Sequence, residues 1–130
     1  MSIRHLDALF DPHSVAVIGA SDSPGSVGAT VWRNLRRAGF EGPCWPVNPR
    51  RATVGGEPAF AGIAALPAAP ELAVVCTPPA AVPGVIAELG ARGTRAAVVL
   101  TAGLTPAQKQ AMLDAARRHL LRILGPNCLG

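Results

Sequence analysis

The sequence predicts a single α/β domain built on a parallel sheet with helices on both faces. Three observations carry this. Short apolar runs recur along the chain with no polar alternation: Val15 to Ile18, Cys44 to Val47, Leu72 to Cys76, Ala96 to Leu100 and Leu121 to Leu124. Such runs suit strands buried on both faces. Helical patterns stand between most of them, and 130 residues suffice for one core but not two. Together these imply a doubly wound, Rossmann-like sheet.

The elements follow in order. Val15-Ala16-Val17-Ile18 lies between Asp11-Pro12 and Gly19 and reads as the first strand. After a Gly/Ser/Pro-rich turn comes a helix in which Val27, Val31, Leu35 and Ala38 share a face, stopped by Gly39. Cys44 to Val47 is the second strand, closed by Asn48-Pro49. Between Arg50 and Pro70 the glycines and prolines suggest turns around one short edge strand near Ala59-Phe60 and a single helical turn. Leu72 to Cys76 is a strand, and Pro79 to Arg92 a helix with Val82, Val85, Ile86 and Leu89 at i, i+3, i+4 and i+7. Ala96 to Leu100 is again a strand. Thr105-Pro106 then gives an N-cap and a first-position proline for a helix reaching about His119.

Composition excludes several function classes. The net charge of +4 comes from scattered arginines rather than a basic stripe, and there are only five Phe and Trp and no Tyr, so no nucleic-acid surface is expected. The longest uncharged stretch, Leu72 to Ala87, is interrupted by Pro78, Pro79 and Pro83 and cannot span a bilayer. Cys44, Cys76 and Cys128 show no metal spacing; an odd, dispersed set fits a reduced, cytoplasmic setting, and Cys44 and Cys76 read as small core residues inside strands.

The binding chemistry is expected at the strand ends. In open α/β sheets ligands sit outside the carboxyl ends of the strands, where strand order reverses. The first such loop, Gly19 to Gly28, carries Gly19, Gly25 and Gly28 with Ser21, Ser23 and Ser26 ahead of Val27. Glycines admit a close approach of the backbone, and N–H groups at a helix start attract phosphate. It lacks the P-loop lysine. The same residues would also make an ordinary serine-rich turn and helix cap. After the second strand, where NAD-binding domains usually place an acid for the ribose hydroxyls, stand Asn48, Pro49, Arg50 and Arg51. An arginine there suits a ribose phosphate, carried by both NADP and coenzyme A. Arg50 is the expected partner, with Arg51 pointing elsewhere if the turn is tight.

Five motifs in register then carry a resemblance: Ser14 to Ser21, Pro24 to Gly28, Val47 to Arg50, Cys76-Thr77-Pro78-Pro79, and Gly125 to Gly130. They resemble the N-terminal CoA-binding domain of the NDP-forming (ADP-forming) acyl-CoA synthetases, relatives of the succinyl-CoA synthetase α subunit. The resemblance implies that coenzyme A is the ligand. It places the Ser21 to Gly28 loop against the CoA phosphates and Arg50 near the adenosine end. Cys76 to Pro79 and Thr101, Ala102 and Gly103 would line the rest of the path, and the turn holding Asn127 and Cys128 would face the thiol end. It further implies a longer parent with phosphohistidine and ATP-grasp domains beyond residue 130, interconverting acyl-CoA and nucleoside triphosphate through an acyl phosphate. None of His5, His13 and His119 matches the phosphohistidine, so this portion is expected to bind CoA or acyl-CoA without catalysing. Two alternatives stay open on the residues alone. One is the synthetase-like part of a protein lysine acetyltransferase, the other an NADP-binding oxidoreductase fragment.

Overall fold

The structure, a computed structural model, describes residues 11–125. Five parallel strands form one sheet in the order β2-β1-β5-β6-β7. They are β1 (Val15–Ile18), β2 (Cys44–Val47), β5 (Leu72–Val75), β6 (Ala96–Val99) and β7 (Arg122–Leu124). Three helices connect them: α1 (Val27–Arg37), α2 (Val82–Arg92), entered through a 3-10 turn at Pro79–Ala81, and α3 (Pro106–Arg118). The expected doubly wound sheet is observed.

Alternate strand residues feed two cores. Ala16, Ile18, Ala73, Val75, Ala97 and Val99 pack with Val82, Ile86 and Leu89 of α2 and Met112, Ala115 and Ala116 of α3. On the other side Val17 packs with Ala20, Trp32 and Val54. With both faces covered, polar alternation has no place in these strands. Residues such as Ala16, Ala73 and Ala97 are fully buried beside the larger Val and Ile.

Helix ends follow local chemistry. Ser26 caps α1 by accepting from the Ala29 N–H at 3.1 Å. Thr105 caps α3 in a reciprocal pair with Gln108, each side chain bonded to the other's backbone N–H, with Pro106 at the first position. Gly93 ends α2 in the left-handed region at φ 103°.

Two expectations change in the Arg50–Pro70 segment. The edge strand near Ala59-Phe60 is a single parallel bridge between Phe60 and Val47. Ahead of it lies an antiparallel hairpin, β3 (Thr53–Val54) and β4 (Glu57–Pro58), turned by Gly55 and Gly56. Both glycines have positive φ, 57° and 80°, which the tight two-residue turn requires. The single helical turn is present at Ile63–Ala65. The buried face of α1 is also shifted from its reading. Val27 is 53% exposed, whereas Trp32 is 4% exposed and joins the core with Val17 and Val54.

Candidate ligand cleft at the strand ends

Strand order reverses between β1 and β5: from β1 the chain turns to β2 on one side, then crosses to β5 on the other. Loops leaving β1 and β5 therefore part there and open a crevice. The ladder carries on one residue beyond both strands, with the Gly19 N–H on the Val47 carbonyl at 2.9 Å and the Cys76 N–H on the Ile18 carbonyl at 2.8 Å. Gly19 lies so close to the neighbouring loop that a Cβ would stand 3.0 Å from the Cys76 carbonyl group, and its φ is 93°. A larger residue is excluded on both counts.

A cleft of about 460 Å³ occupies this crevice. Seven residues expected from sequence line it: Gly19, Asn48, Pro49, Arg50, Cys76, Thr77 and Pro78. Ala61, Gly62 and Ile63 add a wall from the segment after the hairpin, and Ala81, Val85 and Glu88 one from α2 and the 3-10 turn that leads into it. These six were not foreseen. No motif marks them, and only the sheet order brings them to the cleft.

The phosphate loop is fixed by its own hydrogen bonds. The Ser23 N–H donates to Ser21 Oγ at 2.9 Å, and Ser26 Oγ donates to the Ser23 carbonyl at 2.8 Å. The Ser26 hydroxyl is therefore occupied by the cap, while those of Ser21 and Ser23 keep a proton to donate. A helix start leaves its first N–H groups without intrahelical partners. Ser26 takes that of Ala29, which leaves those of Val27 and Gly28 available. Gly25 has a φ of 81° and open space where a Cβ would stand. Gly28 instead serves packing: a Cβ there would run into the Gly19 carbonyl oxygen.

Asn48 binds this loop to the one after β2. Its Nδ2 donates to the Ala20 carbonyl at 2.8 Å, and its Oδ1 accepts the Arg50 N–H at 2.8 Å. Arg50 lines the cleft, and its side chain has no carboxylate partner among the described residues. Arg51, expected to point elsewhere than Arg50, does not line the cleft. It instead reaches the phosphate loop, where Nη2 donates to Ser23 Oγ at 3.4 Å. One arginine thus stands in the cleft and the other over the loop.

The remaining expected residues support the cleft from behind. Thr101 is buried, and its hydroxyl donates to the Thr77 carbonyl at 2.7 Å. Gly103, at φ 85°, lies beside the Pro79 ring. Ala102 follows Thr101 in the exposed loop between β6 and α3. The Thr77 hydroxyl is buried and lacks a hydrogen-bond partner among the described residues, so a ligand group in the cleft could complete it. Asn127, with Cys128 and His5, lies outside the described residues.

Cys76 and Cys44 are half-buried and pack against the core around Val17 and Trp32. Burial pushes the Cys76 thiol up to about 11, so it stays protonated at neutral pH and is a poor nucleophile. Burial also raises Cys44, against the opposing pull of Arg36. His13 is exposed at the other end of the sheet, ahead of β1, near Glu71. His119 follows α3, and its ring lies against Gly90.

A family model described as a CoA binding domain matches residues 13–130. The chain belongs to the CoA-binding domain family. Coenzyme A is its ligand, and the resemblance read from the five motifs is borne out. The domain is 35% identical over 128 residues to the ADP-forming 4-hydroxybutyrate–CoA ligase of Nitrosopumilus maritimus, covering 94% of this chain and 18% of that protein. It is 34% identical over 139 residues to the α subunit of an ADP-forming acetate–CoA ligase I of Pyrococcus furiosus, covering 96% of this chain and 29% of that one. Among solved structures, it superimposes on the dinucleotide forming acetyl-coenzyme A synthetase 1 of Ca. Korarchaeum cryptofilum, determined with phosphate and ADP. The TM-score is 0.88 at 33% identity, over 94% of this chain and 27% of that one. The CoA-binding domain thus spans less than a third of the length of each of these relatives. Among the described residues no helix is long and apolar enough to cross a membrane.

Proposed function

We propose that this domain holds coenzyme A for an ADP-forming acyl-CoA synthetase, with its phosphates on the Gly19 to Gly28 loop and its ribose phosphate on Arg50. The carrying observation is the cleft at the strand-order reversal, which gathers Gly19, Asn48, Pro49, Arg50, Cys76, Thr77 and Pro78. The CoA-ligase names of its relatives favour this over an acetyltransferase or NADP-dependent parent.

Charge gives the cleft a direction. Arg50 stands on one wall and Glu88 on the α2 wall. A polyanion is favoured near Arg50 and the loop and repelled by Glu88. The weakly polar arm of the ligand then runs toward the β5 and β6 loops, where the Thr77 hydroxyl offers a hydrogen bond. CoA supplies the reactive thiol; these residues bind and orient it. The protonated Cys76 and the distant His13 support a portion that binds without catalysing. Acyl transfer then depends on phosphohistidine and ATP-grasp domains of a longer cytoplasmic parent, and this portion alone should not make acyl-CoA from acid, ATP and CoA.

Isothermal titration of the 130-residue chain tests the reading. CoA should bind more tightly than NAD, NADH or NADPH; equal or tighter NADPH binding overturns it. Arg50→Ala should cost CoA about 1.5–3 kcal/mol, the range for a hydrogen bond to a charged group, and cost dephospho-CoA little. Arg51→Ala, which frees Ser23, should weaken both ligands alike and by less. If Arg50→Ala affects both ligands equally, Arg50 does not hold the ribose phosphate.

A further inference from the structure

A second concavity adjoins the CoA site and shares its phosphate loop, whose Ser21 and Asp22 line it rather than the cleft. It holds about 410 Å³ between α1 and the β3–β4 turn. Arg33, Arg36 and Arg37 line it over a floor that includes Trp32, with Asp22 and Gly55 opposite. The Asp22 carboxylate accepts the Gly55 N–H at 2.7 Å, fixing that wall.

The three arginines are not equivalent. Arg36 is held, with Nε 2.8 Å from Glu57 and its guanidinium 5.8 Å from the Trp32 ring centre. Arg33 and Arg37 are exposed and have no carboxylate partner among the described residues. Basic residues in a last turn complement the helix dipole, which accounts for Arg36 and Arg37. It does not account for Arg33, one turn earlier, nor for their placement along a groove. Helix α1 contains no acidic residue to balance them.

We propose that this groove docks an extended, acidic segment of protein. The lining from Ala29 to Arg37 covers roughly 12 Å of helix, about four residues of extended chain. Arg33 and Arg37 are i, i+4 neighbours on one face of α1, so their guanidinium groups can take successive carboxylates of a chain lying along the helix. Asp22 in the wall disfavours a dense polyphosphate. The Trp32 ring, 4% exposed, offers no surface for a base to stack on, which disfavours nucleic acid. The relatives are several times longer than this chain, so protein surface is present in them to fill such a groove.

Trp32 supplies the test. In a Trp45→Phe background it is the only tryptophan and lies on the groove floor. Acetylated, amidated hexaglutamate should change its emission saturably, and hexaglutamine should not. Arg33→Gln with Arg37→Gln should weaken the peptide by about tenfold, while Arg95→Gln with Arg118→Gln, removing the same charge elsewhere, should change it little. CoA affinity and melting temperature, measured in parallel, should hold in both pairs. The proposal is overturned by an absent response to hexaglutamate, an equal response to hexaglutamine, or equal losses in the two arginine pairs. Tighter binding of inorganic tripolyphosphate than of the peptide, lost with Arg33 and Arg37, also overturns it in favour of a small-anion site.

Discussion

A single methyl group at Gly28 should loosen both the fold and the cleft. Gly28 is the second residue of α1, and a Cβ there would collide with the Gly19 carbonyl oxygen and lie 3.4 Å from the Ala20 Cα. Both neighbours are backbone, so no rotamer change relieves the contact and the helix must move off the end of β1. Overpacking of this kind costs up to about 3 kcal/mol. Alanine recovers about 1 kcal/mol through its better helix propensity, leaving a net loss of about 2 kcal/mol. For a domain of this size that lowers the melting temperature by roughly 6–10 °C. The moving helix carries the Ser26 cap with it, so CoA affinity should fall as well. Gly84→Ala is the control. Gly84 lies in the first turn of α2, is exposed, and has open space where its Cβ would go. There alanine should stabilise by about 0.5 kcal/mol and leave CoA binding unchanged. Thermal and urea melts of both variants, with CoA titrations, provide the measurement. A Gly28→Ala protein as stable as the parent, or equal losses at both positions, would refute the close-packing reasoning.

Asn48→Ala removes the side chain that bonds both the Ala20 carbonyl and the Arg50 N–H; each lost bond should cost about 1 kcal/mol, and titration should show CoA affinity falling further than urea-measured stability. Cys76 gives a pH signature: with its thiol raised from 9.0 to about 11, the folded state holds the proton more tightly than the unfolded one. Its contribution is therefore complete below pH 9 and lost as the pH rises from 9 toward 11; Cys76→Ser should flatten that part of the stability–pH curve, and acetyl-CoA, which has no free thiol to consume the reagent, should slow alkylation of Cys76 by iodoacetamide. An unchanged curve would refute the raised thiol, and alkylation indifferent to acetyl-CoA would remove Cys76 from the cleft lining.

What was legible in the sequence divides along physical lines. Strands such as Val15–Ile18 and Leu72–Val75 show as unbroken apolar runs because both their faces are covered. Strand-end loops could be named as the site because that rule needs only the order of strands and helices. The β3–β4 hairpin escaped because two-residue strands have no period to read. The α1 face was placed from Val27, which opens the helix beside the loop and is half exposed; the large ring at Trp32 faces the core instead. Ala61, Gly62 and Ile63 reach the cleft only through the crossover from β2 to β5, and Glu88 only through the packing of α2 after β5, distances in space that no local pattern encodes.

The sequence separates Arg51 from Arg50 but does not say where Arg51 goes, and a local fact decides it. A tight turn after Pro49 would separate Arg50 and Arg51 to opposite sides. Here the Asn48 side chain takes the Arg50 N–H and grips the Ala20 carbonyl at the same time. The first bond shapes the turn after β2 and the second ties it to the phosphate loop, close enough for Arg51 to reach Ser23. Asn48 thus does by hydrogen bonding what a longer side chain could not do by reach. It sets both arginines at once, one into the cleft and one onto the loop. With Ser26 closing the loop on itself, these groups are in place before a ligand arrives, so less ordering is charged against binding. The loss at Asn48→Ala should accordingly appear with dephospho-CoA as well as CoA, since the loop itself loosens, whereas the loss at Arg50→Ala should not. Equal ligand discrimination in the two variants would mean that Asn48 acts only through Arg50.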